Sequence, residues 1–123
     1  MSRDLISQLP LAAACVTIAL GALGLLNPSG AQKFTGVSPG AREGISEIRA
    51  TYGGFFLALG IVAFVHQHPL VFMTVGLAWC GAAAARFLSL FVDSVWTPKN
   101  IAGVVFEAAI GAGFLAPRLA RWF

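Results

Sequence analysis

The amino-acid sequence predicts an all-α fold: a four-helix transmembrane bundle with antiparallel neighbours and both termini on the same side. Three observations carry this. Of the 123 residues, 58% are hydrophobic and only 11% are charged, with a mean hydropathy of +0.82. Ordinary soluble domains are about 45–50% apolar and about 25% charged, so this chain has too few charges to coat a water-facing surface. The apolar residues gather into four runs of about 18–24 residues, and about 20 residues of helix cross a hydrocarbon core. No run alternates apolar and polar residues as a half-buried strand does.

The first run covers roughly residues 5–26, with Pro10 in its opening turns, where proline is best tolerated. It is longer than the apolar core of a signal peptide and lacks a small-x-small cleavage site before a soluble domain, so it is expected to be a retained helix. It stops at "NPSG", Asn27 to Gly30. The stretch from Asn27 to Ser46 is rich in glycine and proline and is expected to be the long extramembrane loop. The second run covers roughly 46–65, with Ser46 as its expected cap. "HQHP" makes a short turn, and the third run covers roughly 69–92, with Pro69 at a favoured first position. Asp93 to Pro98 is the next turn. The fourth run covers roughly 99–116 and ends before Pro117 and Arg118. Short turns force antiparallel neighbours, and all four runs are expected to form one integral membrane domain over residues 1–123.

Small residues every fourth position mark candidate helix contacts: Ala13, Thr17 and Gly21; Gly76, Cys80 and Ala84; Ala108, Ala112 and Ala116. Cys15 and Cys80 lie inside apolar runs with no CxxC or Cys/His ligand spacing, so they are expected as packing residues, and no metal or cofactor is predicted. His66 and His68 share a short turn without a third ligand. Trp96 and Trp122 read as interface anchors.

The formal charge is +3, but the basic residues are scattered near run ends, which argues against a nucleic-acid partner and for lipid headgroups. Lys33, Arg42 and Lys99 fall on one side, and Arg3, Arg118 and Arg121 on the other. The tally is nearly even; Arg118 and Arg121, following the last run closely, tip the expectation to cytoplasmic termini.

Two charges stand inside the apolar runs. Arg86 lies seven residues before Asp93, and Glu107 lies seven residues after Asn100. Each is therefore about 10 Å from the same end of its helix. Charges are costly inside a bilayer, and glutamate is too short to reach far towards water, so the two are expected to meet. "SEIRATYGG" brings Glu47, Arg49 and Tyr52 to the same leaflet, with Arg49 and Tyr52 on one face by their three-residue spacing. Ser89 and Asp93 continue the face of Arg86. The expected polar cluster is thus Glu47, Arg49, Tyr52, Arg86, Ser89, Asp93 and Glu107. It is either a structural clamp or a pocket for a ligand. No Ser-His-Asp arrangement and no phosphate loop is present, and no catalytic residue is assigned.

At "LNP", "SEIRATYGGFFLALGI", "ARFLSLFVD" and the glutamate of the last run, nearly the whole chain resembles a family of small bacterial membrane proteins catalogued as domain of unknown function 4345. "DSVWTPKN" departs from it, because the resemblance implies a glycine soon after Asp93. The resemblance implies a four-helix integral protein of the bacterial inner membrane and brings no activity. The plan is also similar, by architecture alone, to the DoxX-like group, some of which are accessory subunits of oxidoreductases. A bundle of this size has little extramembrane surface for soluble chemistry, so the expected function is a non-enzymatic accessory or assembly subunit, with a membrane-protein partner or a second copy as its associate. The alternative is a binding protein or enzyme for a lipophilic small molecule, a quinone or a lipid, at Arg86 and Glu107.

Overall fold

The computed structural model describes all residues, Met1–Phe123. Five helices follow one another without a strand: α1 (Arg3–Leu26), α2 (Pro28–Thr35), α3 (Arg42–His66), α4 (Pro69–Val92) and α5 (Pro98–Leu119). Of these, α1, α3, α4 and α5 hold 24, 25, 24 and 22 residues and are long and apolar enough to cross a membrane. Within their most apolar stretches only 22–33% of residues are buried. Most of each helix therefore turns apolar side chains outward, which in water would be an aggregation hazard.

The loop expected between the first two runs is largely helical. The residues that read as breakers instead start and stop α2. The Asn27 side chain accepts from the Gly30 N–H at 3.0 Å, and Pro28 takes the first helical position, where its missing N–H costs nothing. Gly36 ends the helix in the left-handed region (φ 78°), its N–H donating to the Gln32 carbonyl at 2.8 Å. Ser46 is not a cap: α3 already begins at Arg42, after the extended Ala41.

The chain forms two compact units. One is Ala14–His66, which holds most of α1 together with α2 and α3. Here α3 departs from α geometry, with a π-helical segment from Ile48 to Phe55. Its glycines let the α1 and α3 backbones touch. A methyl group built on Gly24 would collide with the Tyr52 carbonyl and the Gly53 nitrogen, and one on Gly53 would lie 2.7 Å from the Leu25 nitrogen. Arg49 Nη1 donates to the Leu25 carbonyl, one of the last α1 carbonyls that the helix itself leaves without a donor.

The other unit comprises Met1–Ala13 and Gln67–Phe123, and α4 and α5 form its antiparallel hairpin. α4 starts at Pro69, with His68 Nδ1 accepting from the Leu70 N–H at 3.2 Å. Its buried face runs through Val75, Gly76, Trp79, Ala83 and Leu90, against Glu107, Ile110, Gly111 and Phe114 of α5. Gly76 lies under Phe114 and Leu115, and Gly111 lies against Cys80. Trp79 meets Phe106 edge-on, with ring centroids 6.5 Å apart.

Of the three small-residue stripes, Ala13, Thr17 and Gly21 are all buried. The second is buried at Gly76 but opens to the surface by Ala84. The third is wrong: Ala108 and Ala112 face outward. The α5 contact face follows Gly103, Glu107 and Gly111, one residue out of phase with the alanines. Both cysteines are free thiols.

Candidate functional site

The hairpin of α4 and α5 builds the one polar centre within its apolar contact face. Glu107 is 9% exposed, which places a carboxylate in a core otherwise made of Trp79, Ile110 and Phe114. Arg86, on the facing helix, meets it with two bonds: Nε donates to Oε2 at 2.9 Å and Nη2 to Oε1 at 2.8 Å. This fork-to-carboxylate geometry is the strongest arrangement available to the pair. The third nitrogen, Nη1, donates to Asn100 Oδ1 at 3.1 Å. Arg86 is the more accessible partner, with 30% of its side chain exposed against 12% for Glu107.

The sequence expectation that Arg86 and Glu107 lie level and meet is thus met, and Asn100 is the member it missed. The signal was available: Asn100 precedes Glu107 by seven residues, two helical turns, and so shares its face. Between them stands Gly103, where a methyl group would lie 2.9 Å from Arg86 Cδ and 3.0 Å from its Nε. The arginine crosses α5 over a residue that has no side chain. Asn100 is itself held in place. Its Nδ2 donates to the Val95 carbonyl at 3.0 Å, and its N–H donates to Thr97 Oγ1, the α5 cap, at 3.2 Å.

The remaining predicted residues have local partners. Ser89 donates to Asp93 Oδ2 at 2.5 Å, one turn along α4. In the other unit, Thr51 donates to Glu47 Oε1 at 2.8 Å, and the Tyr52 ring lies 6.3 Å from that of Phe56. The expectation that Arg49 and Tyr52 share a face rested on α-helical spacing, and the π segment removes that basis. Arg49 instead turns to α1 and Tyr52 to Phe56. No group of three or more His, Cys, Asp or Glu side chains is placed to hold a metal ion.

The turn that positions Asn100 contains one residue in a glycine-like conformation. Ser94 adopts φ 56°, the left-handed region that glycine enters without strain. It directly follows Asp93, and the resemblance implied a glycine soon after that residue. Here a serine adopts that conformation.

These features define a helical protein with four helices capable of crossing a membrane and a two-point ion pair inside its α4–α5 hairpin. The chain belongs to the family described as domain of unknown function (DUF4345), which matches residues 8–116. No curated protein and no solved structure matched the chain.

Proposed function

We propose that the protein is a non-catalytic accessory or assembly subunit of the bacterial inner membrane. In this reading α1, α3, α4 and α5 cross the bilayer as one four-helix bundle, a single integral domain with both termini in the cytoplasm. Arg86 and Glu107 act as a clamp that fixes the register of α4 against α5, and Asn100 completes it. One observation carries this reading: all three nitrogens of the guanidinium already face acceptors of the same chain. A charge so occupied has an architectural role and is poorly placed to recruit a substrate. Ser89 and Asp93 close the end of α4 in the same unit, while Glu47, Arg49 and Tyr52 serve local contacts within the other unit.

The outward-facing apolar surface of the four long helices supports a lipid surround and leaves area for a partner helix or a second copy. The rival reading seats a quinone or lipid at Arg86 and Glu107. It would require the ligand to displace Glu107 or Asn100 from the guanidinium.

Native mass spectrometry of the chain released from a mild detergent distinguishes these readings. The subunit reading expects a second polypeptide, or a second copy, at fixed stoichiometry. A monomer that retains a quinone, and loses it on Glu107→Ala, overturns it.

A further inference from the structure

The hairpin carries a second feature, at the end opposite the Arg86–Glu107 pair. Between the start of α1, the start of α4 and the end of α5 lies a cleft of about 280 Å³. Its walls include Phe72 and Met73 of α4 and Phe114 and Leu115 of α5, and its rim holds Arg118 and Arg121. No acidic side chain lines it. Both arginines are exposed, and neither is paired with a carboxylate. The same two cations also line an adjoining cleft with Trp122.

We infer that this cleft is a binding site for an anionic membrane phospholipid, with its phosphate at Arg118 and Arg121 and the upper part of one acyl chain between Phe72, Met73, Phe114 and Leu115. The inference rests on the membrane reading above. Three features select this occupant. Arg118 follows Phe114 by one helical turn on the same face, so charge and apolar wall stack along α5 as headgroup and chain stack in a leaflet. Phe114 is 1% exposed, so the cleft floor is set by a fixed side chain. The rim is cationic with no carboxylate to meet a choline or ethanolamine, which disfavours zwitterionic lipid. Enclosed sites for whole small molecules span about 300–1,000 Å³, so this cleft suits part of one chain and leaves the rest of the lipid in the bilayer. Basic pockets between membrane helices take anionic headgroups for the same reasons.

The test places the full chain in nanodiscs of phosphatidylglycerol and phosphatidylcholine with matched acyl chains, then counts the lipids retained after release into the mass spectrometer. The wild type is expected to keep phosphatidylglycerol and shed phosphatidylcholine. Arg118→Gln with Arg121→Gln should lower that preference roughly 25-fold, at about fivefold per arginine near a charged surface. Lys33→Gln with Arg42→Gln removes the same charge elsewhere and should leave it unchanged. Phe72→Trp, which fills the cleft, should lower retention of both lipids. Ten-millimolar-scale inorganic phosphate should not displace the lipid; displacement would make the site a free-phosphate site and overturn the inference. Equal retention of the two lipids overturns it too, as does an equal loss in the Lys33/Arg42 control. A chain that fails to enter nanodiscs at all overturns the membrane reading instead, so the two failures are distinguishable.

Discussion

Arg86 is tolerated in an apolar hairpin because Glu107 takes two of its nitrogens and Asn100 the third. An unpaired charge at mid-bilayer costs at least about 2.5–3.5 kcal/mol. Glu107→Ala would leave Arg86 unpaired, nearer a helix end than mid-bilayer in the membrane reading. Because Arg86 is 30% exposed, part of the cost is relieved, and the expected loss is about 2 kcal/mol. Adding Arg86→Leu removes the orphaned charge, so the double variant should recover at least about 1 kcal/mol relative to the sum of the singles. Gly103→Ala provides an independent check. Its methyl group would push the Arg86 side chain off Glu107, at a cost of about 1 kcal/mol, and should cost almost nothing once Arg86 is leucine. Unfolding of the five single and double variants by denaturing detergent, followed by circular dichroism, measures both couplings. Strict additivity would show that the pair contributes nothing as a unit. Depth counting made this pair legible in the sequence, because both residues lie a fixed number of turns from one shared turn. Asn100 was as legible in principle, but an asparagine near a helix start reads first as turn chemistry, and it does contact the turn at Val95.

At the level of elements, the two units use glycine differently at different positions, and the energetic consequence can be read from what each would touch. Gly24 meets the backbone of Tyr52 and Gly53. Backbone atoms cannot rotate away, so Gly24→Ala must separate α1 from the π segment of α3, at an expected cost of about 3 kcal/mol. Gly81 of α4 meets nothing within 4 Å. There, alanine adds no collision and removes the backbone entropy of a helical glycine, so Gly81→Ala should stabilise by about 0.5–1 kcal/mol. Thermal unfolding of the two variants in one detergent tests the contrast; a destabilised Gly81→Ala would mean that its outward face is covered. The long helices were visible in the sequence because length and hydropathy decide them. The π segment was not, because "IRATYGGF" has the composition of an ordinary helix and only the α1 backbone pressing on Gly53 reveals the difference. The alanines of α5 misled for a related reason: alanine is common on lipid-facing and buried surfaces alike, whereas a glycine opposite an arginine has a cause. α2 was missed because Asn-Pro and a following glycine mark a short helix as well as a loop.

For the whole molecule, the number of crossings fixes the parity of the ends. If α1, α3, α4 and α5 all span, residues before α1 and after α5 must lie on one side. The helix that decides this is α5, whose hydropathy of 1.4 is the lowest of the four and which carries Glu107. If it spans, its insertion would be helped by arriving as a hairpin with α4, because the Arg86–Glu107 pair lets both charges enter together at less cost than either alone. Reporter fusions that are active on only one side of the membrane test this directly. On the proposed orientation, fusions at both ends should report the cytoplasm, the side to which Arg118 and Arg121 tip a nearly even tally of basic residues. Arg86→Leu should then leave the amino-terminal reporter unchanged and shift part of the carboxy-terminal signal to the other side, since α5 would have to carry an unpaired carboxylate across. A carboxy-terminal signal on the opposite side in the wild type would mean that α5 does not cross, and that its polar face lies along the membrane surface instead of inside a bundle.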